Sequence, residues 1–255
     1  MNVLWVFAHP EQRSLNGALK DMGVRALAED GHSVCVSDLY AMKWDPVVDG
    51  GDFDHDPERR LLVGEASQQA HVAGRLSSDI TAEQERIAWA DTLVVQFPMW
   101  WFGMPAILKG WFDRVFVNGF AFGVKDPVSG RTLRYGDGGL AGKRAMVVTT
   151  IGAREASFGP RGIHGELHDV LFPVHHGIFW YTGMSVLPPV AVYGADRATG
   201  ADFTLAAQHL RQRLAALPTT EPIRFRHQDG GDYDTELVLQ PQVAPGQAGI
   251  GAHYS

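Results

Sequence analysis

The chain of 255 residues carries a single cysteine, Cys35, so an internal disulfide framework is excluded and a reducing compartment is expected. It has no excess of positive charge. Lys and Arg number 22 against 29 Asp and Glu, for a net charge of −7, and no basic runs occur; a nucleic-acid partner is not expected. No apolar run reaches the roughly 18 residues of a membrane span. No cationic segment precedes an apolar stretch at the N-terminus, so no secretory signal is read and a cytoplasmic location is expected. No internal repeat is visible. The G-x-G-x-x-G turn of dinucleotide-binding units is missing after the first apolar run.

What the chain does have is alternation. Val3 to Ala8 is an apolar run suited to a buried strand. Leu15, Ala18, Leu19, Met22 and Leu27 follow at helical spacing, and Gly31 ends that helix. Further strands are read at Ser33 to Asp38, Asp91 to Pro98, Lys143 to Thr150 and Met184 to Tyr193, the last broken near Pro188-Pro189. Helices are read over 61–76, after Ser78 or Thr81, after Pro105, near Glu166–Gly177 and over Asp202 to Leu217. The charged stretch from Asp52 to Arg60 meets no metal-ligand spacing and reads as a solvated loop. Strands alternating with helices imply an α/β fold with a parallel sheet covered on both faces. Residues 1–217 form that domain; 218–255 form a Gly-, Pro- and Gln-rich extension.

Three loops at the carboxyl ends of the strands carry the chemistry, where such sheets bind ligands. The first, His9 to Ser14, feeds a helix whose free N–H groups and dipole suit an anion, with Ser14 as the cap. The second, Met99 to Gly103, holds Trp100, Trp101 and Phe102, although loops are normally polar. The third runs Thr149-Thr-Ile-Gly-Ala-Arg154 and leads to His164. A phosphate at one end and a flat conjugated ring at the other would suit all three, as in a flavin nucleotide.

Several segments are specific enough to compare. AHPEQRSLNGALK (8–20), SDLYAMKWDPVV (37–48), the stretch from Gln96 to Phe116 with PAILKGWFDRVF, GIHGELHDVLFP (162–173) and YTG (181–183) resemble the NAD(P)H:quinone oxidoreductase (DT-diaphorase) family of flavodoxin-like flavoproteins. The resemblance spans most of residues 3–217. It implies a sheet in the order 2-1-3-4-5, non-covalent FAD, and a homodimer with its active site at the subunit interface. It also implies ping-pong, two-electron reduction of quinones by NADH or NADPH. On matching positions, His9, Leu15 and Asn16 belong to the FAD phosphate loop, whose backbone around Ser14 to Asn16 is expected to hold the diphosphate. Met99, Trp100, Trp101 and Phe102 hold the isoalloxazine, and Thr150, Ile151, Gly152 and Ala153 line its other side. His164 matches the active-site histidine, and Tyr181 an aromatic of the substrate cleft. Replacing His9 and Asn16 together is expected to loosen the flavin without unfolding the sheet.

The chain departs from the family at telling places. The animal enzymes pair that histidine with a tyrosine where this chain has Phe158, which has no hydroxyl. Their Thr-Gly-Gly reads Ile151-Gly-Ala153, and two pocket tyrosines correspond to Phe122 and Val124, implying a more apolar pocket. His164 is then expected to act alone or through water, with Arg154 or Arg161 supplying positive charge. The extension has the composition of a disordered tail or of a segment that packs on the dimer partner. Other readings stay open: an azo- or nitroreductase of the same fold, a flavodoxin-type electron carrier, or a flavin-binding regulatory subunit of a cation transporter.

Overall fold

A computed structural model describes residues 1–255. Its centre is a five-stranded parallel sheet in the order β2-β1-β3-β4-β5. The strands are β1 (Asn2–Phe7), β2 (Ser33–Asp38), β3 (Thr92–Pro98), β4 (Arg144–Ile151) and β5 (Ser185–Tyr193). Helices α1 (Leu15–Glu29), α2 (Val63–Ala73), α3 (Ser78–Trp89) and α4 (Ala106–Val115) come before β4, and α7 (Gly200–Ala215) follows β5. Between β4 and β5 lie the short turns α5 (Leu167–Val170) and α6 (Phe172–Val174), which run into a π-helix, His175–Trp180.

The period of two along each strand divides the core. Val3, Trp5, Phe7, Val94, Met146 and Val148 face α1 and α7. Leu4, Val6, Leu93, Val95, Phe97, Ala145 and Val147 face α3, α4 and the 167–180 segment. β1, β3 and β4 are therefore apolar on both sides, as the unbroken runs in the sequence require.

Three expectations are corrected. β5 is continuous through Pro188-Pro189, with a register shift opposite Met146 and Val148. It tolerates the missing N–H groups because it is an edge strand, and Arg213 donates to the carbonyls of Pro188 and Pro189 at 2.6 and 3.3 Å. The helix read near Glu166–Gly177 continues to Trp180 by widening into the π form. Asp52 is not solvated. It is 4% exposed and accepts a 2.6 Å ion pair from the equally buried Arg114, which also reaches Asp79 at 2.8 Å and lies over the Trp44 ring. The acid was legible in the sequence, but its partner 62 residues away was not.

The extension folds back on its own chain. Ile223 donates its N–H to the Val186 carbonyl at the edge of β5. Phe225 is buried and pairs with Tyr254 as a β-bridge, while their rings pack 4.9 Å apart.

Candidate functional site

The carboxyl end of the sheet is tied together by one buried hydrogen-bond chain. Trp5 Nε1 donates to Gln96 Oε1 at 2.9 Å, Gln96 Nε2 to the Asn16 carbonyl at 2.8 Å, and Asn16 Nδ2 to Thr150 Oγ1 at 2.7 Å. β1, β3, α1 and β4 are thereby held in one register. Buried polar groups must be satisfied, so each link fixes the next. Gln96 went unnoticed as a site residue because a lone Gln in an apolar strand carries no motif.

Above this chain opens a cleft of about 440 Å³. It brings together His9, Ser14, Leu15, Asn16, Met99, Trp100, Thr150 and Gly152 from the three loops read in the sequence, and adds Pro98, Ala195 and Asp196. Ser14 caps α1 as expected, accepting from the Gly17 N–H at 3.1 Å. The amides of Leu15 and Asn16, in the first turn, have no partner in the chain and are free donors at the positive end of the helix. His9 Nδ1 is 3.1 Å from both the Ser14 hydroxyl and the Glu11 amide, so the ring is locked into the loop while Nε2 has no partner. Gly17 is required here: a Cβ at this position would sit 1.9 Å from the Gln12 carbonyl oxygen, so only glycine lets the loop curl onto the helix.

The aromatic loop is a tight turn. Trp100 and Gly103 exchange two 3.0 Å backbone hydrogen bonds. The two residues between them, Trp101 and Phe102, take left-handed φ values of 51° and 61°. Such conformations in bulky residues cost on the order of 1–2 kcal/mol each, and this strain is a mark of functional segments. Trp100 faces the cleft. Trp101 is 98% exposed, and Phe102 turns instead to His164, with ring centroids 5.2 Å apart.

Not every expected residue lines the cleft. Ile151 is the buried last residue of β4, and Ala153 offers its carbonyl to the Gly194 amide. Gly152 does line it, and its missing side chain makes room for Asp196, whose carboxylate would lie 2.3 Å from a Cβ there. Asp196 had no signal in the sequence, because the loop after β5 matched no motif. It adds an acceptor suited to a hydroxyl group.

His164 does not line the cleft and lies in an aromatic cluster. Its ring is 4.9 Å from Phe158 and 5.2 Å from Phe102, and it makes no side-chain hydrogen bond. Phe158 rests in turn on Tyr193 at 5.7 Å, a phenol whose pKa burial and then Glu155 push up. Arg154 and Arg161 are exposed in the same loop. Tyr181 is elsewhere. It lines a second cavity of about 380 Å³ together with Phe112, Phe116 and Phe122. One chain therefore does not bring Tyr181 to His164.

Comparison with known proteins agrees with this geometry. The flavodoxin-like fold family matches residues 1–215. A ribosyldihydronicotinamide dehydrogenase-like protein, traD, of Penicillium crustosum is 44% identical over 257 residues, covering 99% of this chain and 95% of the relative. NAD(P)H dehydrogenase [quinone] 1 of Cavia porcellus is 41% identical over 225 residues, 87% of this chain and 79% of the relative. The crystal structure of a Klebsiella pneumoniae protein described as a quinone reductase superposes with a TM-score of 0.96 at 47% identity, covering 100% of both chains. No helix is long and apolar enough to cross a membrane. By fold, by the placement of its cleft and by these relatives, the chain belongs to the flavodoxin-like family and, within it, to the NAD(P)H:quinone oxidoreductases.

Proposed function

We propose that the chain is an NAD(P)H dehydrogenase acting on quinones and that it works through a flavin, read as FAD, held in the cleft at the carboxyl end of the sheet. One observation carries the cofactor reading: free helix N–H groups, an aromatic face and the end of β4 meet in a single cleft. When bound, a flavin would accept hydride from the nicotinamide and deliver two electrons to a quinone.

The chain's own residues supply positioning. The Leu15 and Asn16 amides bind a diphosphate at the start of α1, with His9 Nε2 as a further donor. Met99 and Trp100 bound the ring on one side; Thr150 and Gly152 bound it on the other. Asp196 accepts from a sugar hydroxyl. His164, flanked by Phe102 and Phe158, would serve the reacting face of the ring, with positive charge supplied by exposed Arg154 and Arg161. In a homodimer, the cavity with Phe122 and Tyr181 would belong to the opposite subunit and form the substrate pocket over the first subunit's cleft. This assignment is supported by the cavity around Tyr181, whose lining includes neither His164 nor any residue of the cleft, and by Trp101, which is 98% exposed and free to meet a partner. Its lining is mostly apolar and suits a flat, uncharged acceptor.

The test is direct. The purified protein is heated, the released flavin is identified by chromatography, and oxidation of NADH, NADPH and ribosyldihydronicotinamide is assayed against a small quinone panel. FAD release and donor oxidation coupled to quinone loss are expected. Absence of flavin, with no donor oxidised, would overturn the reading.

A further inference from the structure

We propose that the C-terminal extension builds a second small-molecule site, for a neutral phenolic ring, against the π-helix His175–Trp180. The cavity measures about 300 Å³, the lower end of the range for ligand pockets. It shares no lining residue with the cleft or with the cavity around Tyr181.

One wall is flat and aromatic. Phe172 and His176, one turn apart, stack at 4.5 Å with an interplanar angle of 12°. Tyr135 lies 5.0 Å from His176. This wall also carries unused hydrogen-bonding groups. Neither ring nitrogen of His176 has a partner in the chain, and the Tyr135 hydroxyl makes no bond. Burial, and then the neighbouring His253, hold His176 down to about 4, so its ring is neutral at physiological pH and has one acceptor nitrogen. Burial also raises the pKa of Tyr135, which keeps its proton.

The opposite wall is held in a costly conformation. Leu237 has φ +64°, a left-handed value rare for a branched side chain. A turn centred on Asp234 enforces it: Asp234 Oδ1 accepts from the amides of Glu236 and Val238, and the Asp234 carbonyl accepts from Leu237 itself. The turn places an apolar side chain against the cavity.

The charges there are already committed. Arg226 donates to Asp232 at 2.7 Å and to the Ala252 carbonyl at 3.0 Å, and Tyr233 pairs with His253 at 3.0 Å. Arg226, the one guanidinium in the lining, is thus neutralised by the Asp232 carboxylate. A ring that stacks on the wall and donates one O–H to His176 satisfies the orphaned imidazole, and this is the chemistry of a phenol or a hydroquinone. An anion of the same shape has no O–H to donate to the His176 acceptor nitrogen and forfeits that bond.

The test is calorimetric titration of the flavin-loaded protein with 2-naphthol, 2-methoxynaphthalene and naphthalene-2-sulfonate. One 2-naphthol per chain is expected, with the methyl ether and the sulfonate, neither of which can donate an O–H to His176, at least about tenfold weaker. In His176→Phe, 2-naphthol should fall to the level of its ether, and methylation should then cost nothing more. Leu237→Asp, on the opposite wall, should abolish binding. The proposal is overturned if 2-naphthol does not bind, if methylation costs the same in His176→Phe, or if Leu237→Asp binds like wild type. Flavin content, read in the same samples, reports separately on the cleft.

Discussion

Asn16 and Thr150, 134 residues apart, meet through a buried 2.7 Å hydrogen bond at the floor of the cleft. The bond joins the first turn of α1 to the end of β4, and Asn16 Oδ1 remains buried with no partner in the chain. Asn16 is therefore a strut as well as a cleft residue. Asn16→Ala should cost about 1–3 kcal/mol of stability and weaken flavin retention. His9→Ala removes bonds only within its own loop and should loosen the flavin with little change in stability. The double variant should therefore lose some stability as well as flavin. Urea midpoints and flavin release measured on each variant separate the two roles. Unchanged flavin affinity in both single variants would remove the phosphate assignment.

The His164 ring is flanked by the tilted rings of Phe102 and Phe158 and makes no side-chain hydrogen bond. Phe158→Tyr adds a hydroxyl to one of those rings and should raise the rate of flavin reduction by NAD(P)H several-fold while adding an ionisation to its pH profile. His164→Gln should slow the same step at least tenfold. Stopped-flow traces of flavin bleaching decide both. If reduction and quinone turnover are the same in His164→Gln as in wild type, the histidine has no catalytic role.

Arg114 and Asp52 form a buried pair, and each would be costly alone. Arg114→Met leaves a desolvated carboxylate and should lose about 3–5 kcal/mol. Adding Asp52→Asn should recover a large part of it. Chemical denaturation of the single and double variants gives the coupling; simple additivity would show that the pair is not an energetic unit.

His175 is fully buried in the π-helix with both ring nitrogens unpartnered, and burial followed by the nearby His168 lowers its pKa from 6.5 to about 4. The unfolded chain takes up a proton here as pH falls through 6.5, whereas the folded chain does so only near 4. Stability is therefore full above 6.5 and declines toward 4, by up to about 3 kcal/mol from this group. His175→Leu should make that decline shallower in urea midpoints measured across the same window, leaving the share of His176, which is held down to about 4 as well. An equally steep loss in the variant would place the proton uptake elsewhere.

The sheet was legible in the linear chain because its strands are buried on both faces, and burial writes continuous apolar runs such as Val3 to Ala8 and Leu93 to Val95. The three loops were legible because a capped helix start, an aromatic triplet and a Thr-Gly stretch are local features, and strand order alone carries them to one edge. Pro188-Pro189 misled because a local rule about proline says nothing of whether a strand lies at an edge. Gln96, Asp196 and the Arg114–Asp52 pair were invisible for a related reason. Their roles lie in what they touch across 62 residues or more, or in a glycine that leaves space for a carboxylate. The extension shows the same division most fully. Its composition resembled a loose tail, yet Phe225, Tyr254 and the turn around Asp234 pack it onto the π-helix and enclose a cavity. Sequence by itself determined which elements form, since propensity and periodicity act over a few residues. Only the tertiary structure decided which polar groups are paired, strained or left free, since those outcomes depend on neighbours that meet only when the chain folds.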